Sequence, residues 1–405
     1  MGKNKKEMKQ KVKHPRNHRE NFINAAKYWE DEHDDSSYQV TQPRLSPSDE
    51  EDKESKEERE EADGVDDVSN GEEEARDDET LWDGMPSKFL LYQESVQKPK
   101  GDISYMQKFF LMYVGGRKPL YLQEDFCGTA LLSTEWIRSD SRRTAVGLDL
   151  DLEALDWCME NNIPKVGGDG FSRLSLFHGN VLRPLQSKLV KSNPLELIKN
   201  ITLEENRENL QTGDLESNSQ AGSVAQDDKC IKRDFPARDI VCAFNYSCCC
   251  LHKRADLVLY FKHAHSVLSP EGGIFVMDLY GGTSSEGMLK ITRTFPNFTY
   301  EWEQADFDVI ERKTRISLHF QLKKKQGKLS RAFSYSWRLW TLPEIRDCLE
   351  EAGFKSVHFW LRKMPDLTKS TRIEGFGVGK DDKYEEVTSF EQQNAWNAYI
   401  VGVNY

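Results

Sequence analysis

The sequence predicts an α/β domain, a mostly parallel sheet with helical crossovers, preceded by a charged tail and closed by antiparallel strands. Three observations carry that reading. From about residue 86, apolar runs of strand length alternate with amphipathic runs of helix length, the pattern of βαβ units. The run Leu120-Tyr121-Leu122-Gln123 leads through Glu124 and Asp125 into the small-residue turn Phe126-Cys127-Gly128-Thr129-Ala130 and the helix-like Leu131 to Arg138. A strand, sharp turn and helix of this kind build a pocket above the strand's carboxyl end. Twenty-five positions after Glu124, Thr144 to Asp149 ends a second apolar run in another acid, placed to accept both hydroxyls of a ribose.

Taken in order, Leu90 to Gln97 and Ser104 to Val114 read as helices leading into the core. Strand one is Leu120 to Gln123 and strand two Thr144 to Asp149. Asp151 is a cap for the next helix, which presents Leu152, Leu155 and Met159 on one face. Strand three runs from Leu174 to Val181 and strand four from Asp239 to Asn245. Helix Arg254 to Leu268 follows, stopped by Pro270 and Gly272-Gly273, and Gly273 to Tyr280 is strand five. Phe298 to Trp302, Arg315 to Leu322 and Ala332 to Leu339 then alternate apolar and polar residues, as antiparallel strands do. Pro343 opens a helix that Gly353 ends. Val357 to Leu361 and Ala398 to Val403 are the closing strands.

The charge is lopsided. Residues 1 to 80 hold 25 acidic and 14 basic side chains, so nearly all of the net charge of −12 sits in the first fifth of the chain. The basic head, Lys3 to Arg19, is a candidate nuclear-import signal, and the acidic block over 49–79 has few apolar residues. Such a segment buries too little surface to offset its ordering entropy, so residues 1–85 are expected to be a disordered tail and 86–405 one domain. A polar stretch over 186–236 is expected to be a disordered insertion. The near-neutral folded part argues against tight binding to a nucleic-acid backbone. Nothing resembles a signal peptide, and no apolar run approaches the ~20 residues a bilayer requires. The eight cysteines lack the regular spacing of a disulfide framework, and the consecutive Cys248-Cys249-Cys250 cannot converge on one metal. A cytoplasmic or nuclear location and no metal are the expectations.

The turn after strand one has a single glycine, Gly128, where a dinucleotide site needs several to admit a pyrophosphate. A ligand without phosphates tolerates that loss. From Glu124 onward the chain resembles class I S-adenosylmethionine-dependent methyltransferases, whose first motif reads acid-x-Gly-x-Gly-x-Gly. It looks most like a bacterial and plant branch with an Asp-Phe-Cys-Gly-Thr-Ala turn, here Asp125 to Ala130. Phe126 and Ala130 depart from the superfamily motif. The likeness spans roughly residues 90–405 and implies a Rossmann-like seven-stranded methyltransferase sheet flanked by helices. It further implies an antiparallel β cap after strand five, over about 290–341, and S-adenosyl-L-methionine as cofactor.

The resemblance assigns Glu124, Phe126, Gly128 and Thr129 to the amino-acid end of that cofactor, Asp149 and Leu150 to its ribose side, and Asn180 and Val181 to its adenine. Asn245, Tyr246 and Asp278 are the candidate catalytic residues. Asn245-Tyr246 resembles the Asn-Pro-Pro-Tyr of amino-methylating members without the prolines, which favours N-methylation. Tyr92, Tyr280, Trp302 and Arg338 are candidate substrate residues, with Gln93 beside Tyr92 in the lead-in helix. The expected reaction is methyl transfer to a small molecule or an exposed protein side chain. An inactive cofactor-binding or adaptor protein and a nucleic-acid methyltransferase are the alternatives.

Overall fold

Two sheets organise the chain in a computed structural model that describes residues 86–190, 235–323, 327–364, 372–374 and 383–405. The expected tail and most of the expected insertion lie outside those residues. Helices α1 (Lys88–Val96) and α2 (Pro99–Tyr113) come first. Ser87 caps α1 by accepting the Phe89 N–H, and Pro99 opens α2, where its missing N–H costs nothing. Then follow β1 (Tyr121–Asp125), α3 (Leu131–Ser139), β2 (Thr144–Asp149), α4 (Leu152–Asn161), the single turn α5 (Gly170–Arg173), β3 (Leu174–His178) and β4 (Lys188–Leu189). Next are β5 (Ile240–Ala243), α6 (Arg254–Val267) and β6 (Gly273–Gly281). The remainder is β7 (Leu289–Thr294), β8 (Phe298–Gln304), β9 (Lys313–Leu322), β10 (Lys328–Arg338), α7 (Leu342–Ala352), β11 (Ser356–Lys363), β12 (Arg372–Glu374), β13 (Glu385–Val387) and β14 (Trp396–Asn404).

The main sheet runs β13-β11-β14-β6-β5-β1-β2-β3-β4. Its five central strands, β3-β2-β1-β5-β6, are parallel. Ile240, Val241, Cys242 and Ala243 of β5 are all fully buried, as a strand covered on both faces requires. Chain order reverses between β1 and β5, and the crevice outside the carboxyl ends at such a switch point is where ligands bind. β14 pairs antiparallel with β6, Trp396 opposite Gly281 and Asn404 opposite Gly273, and β11 pairs antiparallel with β14. The sheet has nine strands rather than the expected seven. The extra two, β4 and β13, are two and three residues long and cover its outer edges. Strands that short bury too little to show an apolar pattern, though they blunt exposed edges. β4 also means that Lys188 and Leu189, expected within the insertion, are part of the sheet.

The second sheet, β10-β9-β8-β7-β12, lies where the antiparallel cap was expected. β7 to β10 are antiparallel, but β12 joins parallel to β7. Register sorts the side chains onto two faces. The row Ile291–Trp302–Leu318–Phe333 and the neighbouring Arg293–Tyr300–Phe320 share one face, while Lys290, Glu301, Glu303 and His319 take the other. α7 returns the chain to the main sheet. Its capping box is complete, with Thr341 and Glu344 bonded reciprocally, and Gly353 ends it at φ 111°. Among the described residues, no helix is long and apolar enough to cross a membrane.

Candidate active site

The turn after β1 is left-handed at alternate positions. Phe126, Gly128 and Ala130 have φ of 55°, 50° and 46°, and these are the three places where acid-x-Gly-x-Gly-x-Gly puts glycine. A residue with a Cβ pays about 1–2 kcal/mol to sit there, so Phe126 and Ala130 hold their geometry against their own preference. Three backbone hydrogen bonds impose it: Cys127 N–H to Leu148 O at 3.2 Å, Ala130 N–H to Cys127 O at 2.7 Å and Gly128 N–H to Asp149 Oδ2 at 2.6 Å. Phe126 packs edge-on against Tyr260, and Ala130 is fully buried. Gly147 makes room for the Cys127 thiol, since a Cβ there would lie 2.9 Å from its Sγ. Above Gly128, by contrast, no heavy atom lies within 4 Å of where a Cβ would stand, so the turn opens onto free space.

Ala130 occupies the N-cap of α3 and has no side chain to cap with. Glu124 does this from the preceding strand: its Oε2 accepts the Ser133 N–H at 2.9 Å and the Ser133 hydroxyl at 2.6 Å. Burial pushes the Glu124 carboxyl up to about 8, against the Ser133 hydrogen bonds that lower it. Asp149 holds two turns together, Oδ2 accepting from Gly128 and Oδ1 from the Asp151 N–H at 2.8 Å, and burial raises its carboxyl too. Asp151 caps α4 through Ala154, as its position predicts. The lead-in helix docks on the same turn, with Gln93 Nε2 donating to Thr129 Oγ1 at 2.7 Å. Leu150 is 63% exposed beside Asp149. Asn180 accepts the Leu182 N–H through Oδ1, and the buried Val181 lines a small cavity with Leu148, Asp125 and Tyr260.

Across the switch point, Asn245 and Tyr246 are consecutive left-handed residues, φ 58° and 59°. Their N–H groups donate to the two oxygens of Asp278, at 3.0 and 2.8 Å. Burial lifts the Asp278 carboxyl to about 8, with the Tyr246 and Asn245 amides opposing. The two oxygens of Asp278 thus hold the backbone of this turn, beside the Asn245 and Tyr246 side chains. Tyr246 packs on Tyr280 with ring centroids 4.8 Å apart and edge-on against Trp337. Tyr280 meets Trp302 edge-on and donates to Gln304 Oε1 at 3.1 Å. Tyr92 lies on Phe333 at 5.0 Å. Burial, followed by Tyr335, Tyr300, Asp278 and Asp149, drives the Tyr92 phenol far up. Tyr92, Asp149, Tyr246, Asp278 and Tyr280 are enclosed enough to shift, yet each keeps solvent-accessible surface. Asp149 and Asp278 both act on the Tyr92 phenol and Tyr246 packs on Tyr280, so the five gather at the carboxyl ends of β2, β5 and β6, a candidate recess.

Arg338 is not among them. It alternates with Trp337 and so points from the other face of β10, donating to His252 O and Glu344 and covering the Trp340 ring. On that outer face Glu301, Glu303 and His319 bring possible metal ligands together. Yet His319 Nδ1 accepts the Arg331 N–H, which leaves the ring proton on Nε2, and Lys290 pairs with Glu301. The grouping therefore offers a cation no imidazole lone pair. Ser133, Tyr335 and Tyr384 were not singled out as site residues from sequence. Ser133 carried a usable signal, since a hydroxyl three residues after an uncapped helix start suits a carboxylate.

The raised carboxyls make a prediction. Glu124 and Asp278 sit at about 8, and Asp102 and Asp125 at about 6, all above their unfolded values near 4. Between about pH 4 and 8 the folded chain therefore retains protons that the unfolded chain has released, so stability falls as pH rises. The thermal midpoint of the ligand-free chain should be lower at pH 8.5 than at pH 6, and Glu124→Gln should flatten the slope. A midpoint that rises over that interval would mean that these acids are ionised and paired.

No protein-family model matches the chain, and no curated protein does. Solved structures resemble it in architecture at low identity. One is an S-adenosylmethionine-dependent methyltransferase from Clostridium acetobutylicum, 14% identical, covering 77% of this chain and 96% of that one at a TM-score of 0.45. Streptomyces venezuelae DesVI is 12% identical over 77% and 94%, also at 0.45. The sugar N-methyltransferase KedS8 from Streptoalloteichus is 12% identical over 85% and 98%, at 0.43. Likeness at this level carries no argument about chemistry.

Proposed function

We propose that the chain is an S-adenosyl-L-methionine-dependent methyltransferase acting on a small molecule or an exposed protein side chain, with N-methylation favoured. The observation that supports it most is the turn after β1: three left-handed residues at the motif's glycine positions, tied by Gly128 N–H to an acid at the end of β2. That geometry is kept although two of the three residues resist it. Asp102 and Asp149 also act on Glu124, and Asp102 on Asp278, so four acids lie close together here, each raised by burial first.

When bound, the cofactor brings an already activated methyl group, so the protein's task is alignment. Asp149 still has lone pairs for ribose hydroxyls beyond its two amide bonds. Leu150 lies on the ribose side, and Asn180 with the Val181 backbone N–H meets the adenine edge. Thr129 and the start of α3 face the carboxylate, and Glu124 fixes that helix end. Asn245 offers its side chain and carbonyl to the acceptor atom, held in register by Asp278, while Tyr92 and the second sheet close the recess as a cap. The test is to incubate the chain with methyl-labelled cofactor and fractionated extract. Label in a metabolite or protein fraction is the expected result. Cofactor binding without labelled product in any fraction would identify a binding-only relic, and label in RNA would redirect the acceptor.

A further inference from the structure

Thr129 stands between the left-handed Gly128 and Ala130, and its neighbours fix it from several sides. Its hydroxyl accepts from Gln93 Nε2 of α1 at 2.7 Å, and its carbonyl accepts from Asn162 Nδ2 at 2.8 Å. The amides on either side are engaged, Gly128 with Asp149 and Ala130 with Cys127 O. The Thr129 N–H donates to no group among the described residues, and it adjoins Gly128, above which the turn is open. Asn162 is the member of this arrangement that stability does not explain. It follows α4, where its own N–H donates to Cys158 O at 2.9 Å and its carbonyl accepts the Lys165 N–H at 3.1 Å, so a fixed backbone aims its side chain. It is 2% exposed, and its Oδ1 has no hydrogen-bond partner among the described residues. An unpaired buried acceptor is unfavourable, and an apolar side chain of similar size would avoid it. Of the two amide atoms only the nitrogen can donate to a carbonyl, and it does so at Thr129.

We propose that Asn162 is a positioning residue for the cofactor: by holding the Thr129 carbonyl it fixes the backbone that presents the Thr129 N–H to the carboxylate of S-adenosyl-L-methionine. The assignment rests on the methyltransferase reading and adds to it a side chain from outside the first motif, 33 positions beyond Thr129. A binding turn keeps its geometry only when the residues behind it are themselves held.

The test is calorimetry on the full chain with S-adenosylhomocysteine and with methylthioadenosine, which has the adenine and ribose but lacks the amino-acid end. Asn162→Leu should weaken S-adenosylhomocysteine by about tenfold or more and leave methylthioadenosine within about twofold of the parent. The thermal midpoint of that variant without ligand should stay within about 3 °C of the parent's, because the Thr129 carbonyl loses a partner while an unpaired oxygen disappears. Asn162→Asp should bind S-adenosylhomocysteine more nearly like the parent at pH 5.5 than at pH 8.5. Its protonated acid can donate to the Thr129 carbonyl, and its carboxylate cannot. A purely structural role would lower the midpoint and weaken both ligands alike, and that result overturns the proposal. Parent-like binding of S-adenosylhomocysteine by Asn162→Leu overturns it too, and leaves the proposed function standing. A parent chain that binds neither ligand would overturn the proposed function and this assignment with it.

Discussion

Asp278→Ala is expected to slow methyl transfer on the order of a hundredfold while S-adenosylhomocysteine still binds within about threefold of the parent. The carboxyl accepts the N–H groups of Asn245 and Tyr246, both left-handed and neither a glycine. Without it, two enclosed amides lose their partners at about 1–3 kcal/mol each, and the turn is free to relax toward ordinary backbone. The Asn245 side chain would then leave the line of transfer, and about 1 Å of misplacement suffices for an effect of that size. Asp278→Asn keeps one acceptor oxygen and should recover part of the rate. The check is the turnover number on the labelled product, alongside the dissociation constant. A rate unaffected in both variants would mean that this turn does not orient the acceptor.

Asp149→Ala should weaken cofactor binding at least tenfold. Hydrogen bonds from ribose hydroxyls to a carboxylate contribute about 1.5–3 kcal/mol each, and about 1.4 kcal/mol is already a factor of ten. The structure adds a second cost, since the same carboxyl receives the Gly128 and Asp151 amides. A lower thermal midpoint should therefore accompany the weaker binding. Asp149→Asn, which keeps an acceptor for one of those amides, should lose less stability than affinity. An unchanged dissociation constant in the alanine variant would move the ribose site away from the end of β2.

Much of this was legible in the chain. The parallel core strands announced themselves because each is a continuous apolar run ending in a polar residue, and α7 because Pro343 and Gly353 mark its two ends. Asp151 as a cap followed from its place alone. What stayed hidden was of two kinds. β4, β12 and β13 are two or three residues long and pair through backbone, which leaves no periodic trace. The direction of a side chain was also lost where strand bounds were only approximate. Trp337 and Arg338 are neighbours in sequence and lie on opposite faces of β10, which the sequence alone did not separate.

The most direct measurement is a calorimetric titration of the full chain with S-adenosylhomocysteine, with NAD as the comparison. A turn with one glycine and an acid at the end of β2 should give saturable one-site binding of S-adenosylhomocysteine and none of NAD. Binding of NAD with no binding of S-adenosylhomocysteine would contradict the reading of this site as a methyltransferase's.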